Sequence, residues 1–198
     1  MTTTELLFNP FKRYAGLTSL IVGIIVIVLT AAIAVAGQTH LDGVIDLHVG
    51  TGITFTQAIG EGLINFLCMG IVLYIASLFV SPSRPRVIDI FGTQALARTP
   101  FFFAAVANLL PNQDQVIKYV EYKYMNAGNP VELGTLDILF FAFATLVTLL
   151  CLVWMIALMY RAYAVSANVH RAKGIVSFIV GLIVAEITSK ILISNLIL

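Results

Sequence analysis

The stretch from Val87 to Pro111, VIDIFGTQALARTPFFFAAVANLLP, decides how the rest of the chain must fold. It is apolar over a length that crosses a bilayer, yet it carries Arg98 well inside the run and Pro100 two residues later. A charge is costly in lipid, and proline removes a backbone hydrogen bond, so both need neighbouring helices around them. The stretch is therefore predicted to form a kinked helix at the centre of a membrane helical bundle.

The composition of the whole chain agrees with this interpretation. Of its 198 residues, 60% are hydrophobic and 11% are charged, and the mean hydropathy is +0.99. Soluble domains carry about 25% charged residues, so this chain has too little polar surface to face water on all sides. Cys68 and Cys151 lie in apolar runs, where cysteine acts as a small packing residue. The predicted fold is all-α, a polytopic membrane bundle.

Four further apolar runs are long enough to cross a membrane, because about 20 residues at 1.5 Å each cover about 30 Å of hydrocarbon. The five transmembrane helices are predicted at about residues 16–37, 58–80, 90–111, 135–159 and 174–197. The first run is longer than a signal-peptide core of about 7–15 residues, so we expect an uncleaved span. Residues 16–198 then form one domain, and residues 1–15 form a cytoplasmic or interfacial segment, with a frayed terminus as the alternative.

Positive charges between the runs indicate the orientation. One side of the predicted membrane receives Lys12, Arg13, Arg84, Arg86, Arg161, Arg171 and Lys173, and the other receives Lys118 and Lys123. The positive-inside rule then places the N-terminus in the cytoplasm and the C-terminus outside, in a cell inner membrane. The fourth span is predicted to end at an interfacial belt, Tyr160-Arg161-Ala162-Tyr163.

Polar side chains inside the predicted spans are the first candidates for function. They are Glu61, Asn65, Arg98, Asn108, Glu186 and Lys190. Glu61 and Asn65 are four residues apart, as are Glu186 and Lys190, so each pair shares a helix face. One interpretation is an ion, proton or solute path, which intramembrane charges often form. The other is structural: Glu186 pairs with Lys190, and Arg98 meets a carboxylate or backbone carbonyls, so that the network fixes helix packing.

Two other patterns have a functional and a plain interpretation. Small residues recur every four positions on the last run, at Ser177, Gly181, Ala185 and Ser189. Such a stripe lets another helix approach closely, either within the bundle or from a second copy. Residues 38–57 offer possible metal ligands at even positions, His40, Asp42, Asp46 and His48. Histidine with carboxylate suits zinc or manganese, whereas a solvated polar loop is the alternative.

Several motifs of catalysis and recognition are absent from the sequence. It contains no GxxxxGK[ST] or GxGxxG phosphate loop and no HExxH, GxSxG or CxxC motif. The basic clusters lie at predicted helix ends, where the topology accounts for them, so nucleic-acid binding has no support. We therefore expect no enzyme activity and no cofactor. The expected partners are the lipid bilayer and either other membrane proteins or a second copy of the chain.

The segment Asp89–Pro100, DIFGTQALARTP, contains a glycine followed by a small-residue run that ends in an intramembrane proline. With five spans, a cytoplasmic N-terminus and an apolar C-terminal end, the chain resembles the Yip1 family, in particular its short bacterial members. The resemblance covers about residues 10–197 in layout and matches residue by residue only at Asp89–Pro100. Eukaryotic members carry DLYGP and GYxxxP signatures. Here no proline follows Gly92, and Arg98 stands near the expected tyrosine.

The resemblance implies a non-enzymatic protein that organises membranes or partner proteins. Eukaryotic members are tied to vesicle trafficking, Rab GTPase binding and membrane shaping, and they carry a sizeable cytosolic N-terminal region, whereas about 15 residues precede the first span here. The alternative hypothesis is a small transporter or channel that uses Arg98, Glu186 and Lys190. A weaker one is an extracytoplasmic metal or ligand sensor that uses the stretch from His40 to His48.

Overall fold

The structure, a computed structural model, describes residues 3–50 and 52–197, and it is helical apart from one short hairpin. The helices are α1 (Thr3–Phe8), α2 (Gly16–Ala36), α3 (Phe55–Val80), α4 (Val87–Ala97), α5 (Thr99–Ala107), α6 (Gln113–Met125), α7 (Thr135–Ser166) and α8 (Arg171–Leu196). A single 3-10 turn covers Pro10–Lys12, and the hairpin pairs β1 (Thr39–His40) with β2 (His48–Val49). The prediction of an all-α chain is confirmed.

Within the described residues, four helices are long and apolar enough to cross a membrane: α2, α3, α7 and α8. Their mean hydropathies lie between 2.1 and 2.9, as expected for segments in lipid. Three of them begin and end within a few residues of the predicted spans. The fourth, α7, continues to Ser166. Tyr163 therefore lies within the helix and packs into the bundle, and it is not part of an interfacial belt. Tyr163 is fully buried, and its hydroxyl lies 3.2 Å from Ser177 Oγ.

The predicted third span, residues 90–111, is two helices and not one. Arg98 separates α4 from α5 with φ −79° and ψ −4°, and Pro100 stands in the first turn of α5. Because proline has no N–H, it cannot bond to the carbonyl of Leu96, and its ring blocks that position. The hydroxyl of Thr99 donates to the Leu96 carbonyl instead, at 2.6 Å. The kink expected at Pro100 is thus a break between two helices, and the prediction of five transmembrane helices is not confirmed.

The two short helices are nevertheless the centre of the bundle. α4 packs against α2, α3 and α7, and α5 packs against α2 and α7. A Cβ added to Gly92 would lie 2.3 Å from the Gly16 carbonyl oxygen, and one added to Gly23 would lie 2.5 Å from Ala95. Backbone therefore touches backbone between α2 and α4, a contact that only small residues permit.

The helices around this centre run in alternating directions. α4 and α5 lie parallel to α2 along its whole length, since Gly16 lies beside Asp89 and Gly37 lies beside Asn108. α7 runs the opposite way. Two hydrogen bonds show this direction: Gln94 Nε2 of α4 donates to the Met159 carbonyl at 2.9 Å, and Asn108 Nδ2 after α5 donates to Thr148 Oγ1 at 3.0 Å. The later residue of the central segment thus meets the earlier residue of α7.

The small-residue stripe of α8 lies inside the bundle. Gly181, Ala185 and Ser189 are buried, and a Cβ added to Gly181 would lie 2.8 Å from the Leu73 side chain of α3. The helices α3 and α8 are antiparallel, because Gln57 Nε2 also donates to the Ile197 carbonyl. The stripe therefore faces α3 of the same chain.

The N-terminal segment folds back onto the bundle. Trp154 Nε1 of α7 donates to the Leu7 carbonyl at 3.0 Å, and Phe11 is buried in the main core. Leu6, Leu7 and Phe8 remain exposed on the outer face of this segment. The segment from residue 5 to residue 12 therefore packs against α7 on one face, and its other face is apolar and suits lipid.

A hairpin held by buried carboxylates

The hairpin between α2 and α3 enters the bundle. Its strands pair antiparallel with Thr39 opposite Val49 and His40 opposite His48, and residues 41–47 form the tip. Leu41 and Val44 of this tip are buried in the main core. Backbone groups so far from water need partners inside the protein, and the acidic side chains of α3 and α8 supply them.

Glu61 of α3 holds one side of the hairpin. Its side chain is 0% exposed, and Oε1 lies 2.8 Å from His40 Nδ1 while Oε2 accepts the Leu41 N–H at 2.8 Å. One turn further along α3, Asn65 Nδ2 donates to the Leu41 carbonyl. The predicted pair on one helix face therefore binds both the N–H and the carbonyl of one loop residue.

Glu186 of α8 holds the other side. Its Oε2 accepts the Ile45 N–H at 2.9 Å, and its Oε1 lies 3.5 Å from Lys190 Nζ. Lys190 also forms a salt bridge with Asp46 of the hairpin tip. Gly43 is in contact with the same carboxylate, since a Cβ there would lie 2.3 Å from Glu186 Oε1. A side chain at position 43 would therefore displace the Glu186 carboxylate from its place beside the Ile45 N–H.

The outer part of the hairpin carries a second, more exposed pair. His48 Nδ1 lies 3.0 Å from Asp42 Oδ1, and the His40 and His48 rings stack with their centroids 5.2 Å apart. The hydrogen bond to Asp42 raises the pKa of His48 above 6.5, and the same bond lowers the pKa of Asp42 below 3.8. Each shift follows from stabilisation of the charged form by its partner.

The four proposed metal ligands do not form one set in this arrangement. His40 is bound to Glu61, His48 to Asp42, and Asp46 to Lys190. Among residues 3–50 and 52–197, no group of three or more histidine, cysteine or acidic side chains is placed to hold a metal ion. The hairpin geometry gives the proposed metal site no support.

Arg98 lies apart from these pairs. It is 4% exposed, and its two terminal nitrogens, Nη1 and Nη2, are buried without a hydrogen-bond partner among the described residues. Its guanidinium carbon lies 5.8 Å from the centroid of the Phe101 ring, a favourable cation–π distance. Among residues 3–50 and 52–197, no carboxylate lies within salt-bridge distance of Arg98.

Apart from Arg98, the residues of the predicted polar network thus fall into three separate arrangements. Glu61 and Asn65 hold one arm of the hairpin, and Glu186 and Lys190 hold its tip. Asn108 belongs elsewhere: it donates to the Ala104 carbonyl at 2.9 Å and accepts from Gln113 Nε2 at 2.7 Å through its own carbonyl. It therefore fastens the end of α5 to α6 and α7.

The groups that the carboxylates bind were not predicted from the sequence. They are the N–H of Leu41 and the N–H of Ile45, and Glu186 also approaches Gly43 closely. One signal was available, because the loop between the first two spans contains Leu41, Val44 and Ile45 among its polar residues. Apolar residues in a loop indicate that part of it is buried.

Comparisons of the chain with protein-family models, with curated proteins and with solved structures return no match.

Proposed function

We propose that the chain is a Yip1-like integral membrane protein that crosses the membrane five times and organises the membrane or partner proteins without catalysis. The proposal of five crossings is supported by the position of α4 and α5 beside α2. They begin beside Gly16 and end beside Gly37, the two ends of α2. A segment that accompanies a membrane-crossing helix from end to end covers the same depth of lipid. Its break at Arg98 is tolerated because surrounding helices bury it.

Five crossings put the termini on opposite sides of the membrane. The basic residues before α2 and around residues 81–86 and 161–173 then share one side, which the positive-inside rule assigns to the cytoplasm of a cell inner membrane. The stretch Asp89–Pro100, which resembles the family, includes Gly92, where α4 touches α2. Its small residues thus have a packing reason that fits the resemblance.

Cysteine labelling tests the topology. The only cysteines, Cys68 and Cys151, are buried, so Cys68→Ala/Cys151→Ala gives a silent background. Ser83→Cys and Asn129→Cys flank the central segment, and an impermeant thiol reagent should reach them from opposite sides of sealed vesicles. His170→Cys should react on the Ser83 side. Reaction of Ser83→Cys and Asn129→Cys on the same side would leave α4 and α5 on one side of the membrane.

The structural role of the polar residues follows from their partners. Glu61 and Glu186 each accept a backbone N–H of the hairpin with one carboxylate oxygen. Lys190 is paired with Asp46 of the hairpin and with Glu186 of α8. Charges that are satisfied by the protein itself fix packing and leave little capacity for a solute. This arrangement favours a bundle that works as a rigid membrane platform.

Two measurements test the organising role. Native mass spectrometry of the protein, extracted gently from its own membrane, should retain a lipid or a second protein. Extraction as a bare chain would contradict the role. In liposomes, the wild type and Glu186→Gln should both be silent for ion flux, and Glu186→Gln should lower only stability or assembly.

A small transporter or channel is the second candidate, and Arg98 favours it. A buried guanidinium with two unpartnered nitrogens in the middle of a bundle is a place where an anion can be stabilised. In this case the hairpin closes the path at one end, and Glu186 is part of the gate. Flux of chloride that rises in Glu186→Gln and disappears in Arg98→Met would select this function over the first.

A further inference from the structure

A cleft of about 390 Å³ lies between the N-terminal segment and the bundle. Leu6, Leu7 and Tyr14 form one wall, and α2, α4, α5 and α7 form the others. Its volume falls within the range of about 300–1,000 Å³ that is typical of ligand sites. The hydrogen bond from Trp154 to the Leu7 carbonyl joins α1 to α7 beside the cleft, and the cleft lies against helices that are predicted to stand in lipid.

The lining of the cleft is mostly apolar, with a few hydroxyl groups. Ser19, in the first turns of α2, lines it with Oγ buried and without a partner among the described residues, and the residue is 1% exposed. The apolar walls include Val22, Leu96, Phe103 and Trp154, and the hydroxyl of Thr99 between them already donates to the Leu96 carbonyl. A buried hydroxyl donor beside an apolar channel matches a molecule with an ester carbonyl and a hydrocarbon chain.

Positive charge stands where the polar end of such a molecule would lie. Lys12 and Arg13 are exposed and directly precede Tyr14, which lines the cleft. The Arg13 guanidinium carbon lies 5.7 Å from the centroid of the Tyr14 ring, so this cation is held beside the opening. Basic pockets between transmembrane helices bind anionic lipid head groups.

We propose that this cleft, the N-terminal cleft, binds one anionic phospholipid from the surrounding bilayer. The head-group phosphate lies at Lys12 and Arg13, Ser19 Oγ donates to an ester carbonyl, and an acyl chain runs along Val22 towards Trp154. The site depends on the bundle being in a membrane, but it does not depend on the number of spans or on their orientation.

Trp154 supplies the readout, because it is the only tryptophan of the chain and it lines the cleft. The full chain is placed in phosphatidylcholine vesicles that contain a small, fixed fraction of either brominated phosphatidylglycerol or brominated phosphatidylcholine. Bromine on the acyl chain quenches tryptophan fluorescence at contact. We expect the phosphatidylglycerol probe to quench Trp154 several-fold more than the phosphatidylcholine probe does. Equal quenching in the wild type would overturn the proposal, whatever the variants do.

Two pairs of matched variants locate the site. Lys12→Gln/Arg13→Gln should remove most of the excess quenching by phosphatidylglycerol, since each surface cation contributes to anionic lipid binding. Arg171→Gln/Lys173→Gln removes the same charge at the start of α8 and should leave the preference unchanged. Val22→Phe narrows the cleft and should reduce the excess quenching, whereas Ile25→Phe, on the exposed face of α2, should not. An excess that survives both Val22→Phe and Lys12→Gln/Arg13→Gln would place the lipid elsewhere.

This test separates the lipid site from the proposed topology. Both leaflets of the vesicle contain the probe lipid, so the result is the same for either orientation of the chain. Failure of the labelling experiment at Ser83 and Asn129 would change the number of spans and leave the quenching prediction in place. Equal quenching by the two probes would remove the lipid site and leave the topology untouched.

Discussion

Glu61 and Arg98 are both charged side chains buried in the bundle, but their surroundings differ. Glu61 is 0% exposed, and each of its oxygens has a partner on the hairpin. Arg98 is 4% exposed, and both of its terminal nitrogens lack a hydrogen-bond partner among the described residues. A buried charge stabilises a protein only when its partners offset the loss of water. Both oxygens of Glu61 are therefore partnered, whereas the terminal nitrogens of Arg98 at the helix break are not.

The largest effect is expected from loss of Glu61. In Glu61→Leu, His40 Nδ1 and the Leu41 N–H stay buried without the carboxylate, and each buried polar group left unsatisfied costs about 1–3 kcal/mol. We expect the two together to lower the free energy of unfolding in detergent micelles by about 2–6 kcal/mol. Glu121→Leu, at an exposed position of α6, is the control and should change stability by less than about 0.5 kcal/mol. A loss no larger than the control's would mean that the hairpin is not held by Glu61.

Replacement of Arg98 should have the opposite sign. In Arg98→Met the unpartnered guanidinium gives way to an apolar side chain of similar length, and such replacements range from neutral to stabilising by about 1–4 kcal/mol. The same unfolding measurement checks this, with Arg98→Lys as the control that keeps the charge and should be less stable than Arg98→Met. If Arg98→Met were as destabilising as Glu61→Leu, Arg98 would have a partner in the membrane, and the contrast between the two residues would disappear.

The position of Arg98 could be predicted from the sequence, but the partners of Glu61 could not. A charge two residues before proline inside an apolar run marks both the centre of the bundle and a break in the helix. The break is at Arg98, and the flanking residues from Gly92 to Phe101 are mostly buried. These properties are local to one segment, so composition and spacing report them.

Contacts between distant segments could not be predicted from the sequence. Glu186 and Ile45 are 141 residues apart in the chain, and nothing in either segment indicates that a loop N–H meets that carboxylate. The end of α7 was placed too early for a related reason. Tyrosine and arginine indicate the depth of a membrane surface, and they do not stop a helix, so α7 continues to Ser166 while Tyr163 packs inward.

A third prediction tests the tip of the hairpin, where Gly43 touches Glu186. In Gly43→Ala, the new methyl group would lie 2.3 Å from Glu186 Oε1, so the carboxylate must leave the Ile45 N–H or the loop must shift. Overpacking of this kind costs about 1–3 kcal/mol. In a Glu186→Ala background the obstacle is gone, so Gly43→Ala should cost much less there. Equal costs in the two backgrounds would show that the contact with Glu186 does not matter.

The smallest effect is expected from the exposed pair of His48 and Asp42. Their side chains are 48% and 24% exposed, and exposed ion pairs contribute about 0.2–1 kcal/mol. The hydrogen bond between them raises the pKa of His48 and lowers that of Asp42. This pair therefore provides a pH-dependent counterpart to the buried carboxylates, and its contribution has a predictable sign.

Because the pKa of His48 is raised above 6.5, its contribution is fully present below pH 6.5 and is lost as the pH rises through the folded-state value. Because the pKa of Asp42 is lowered from 3.8, its contribution is present above pH 3.8 and is lost as the pH falls through its own folded-state value. The stability advantage of the wild type over Asp42→Asn should therefore be greatest between pH 3.8 and 6.5 and should shrink above that window. Unfolding measured across the neutral range checks this, with Asp114→Asn on α6 as a control whose difference from the wild type stays flat. An advantage that grows with pH would mean that His48 binds Asp42 more strongly in its neutral form, and the sign expected from the two pKa shifts would be wrong.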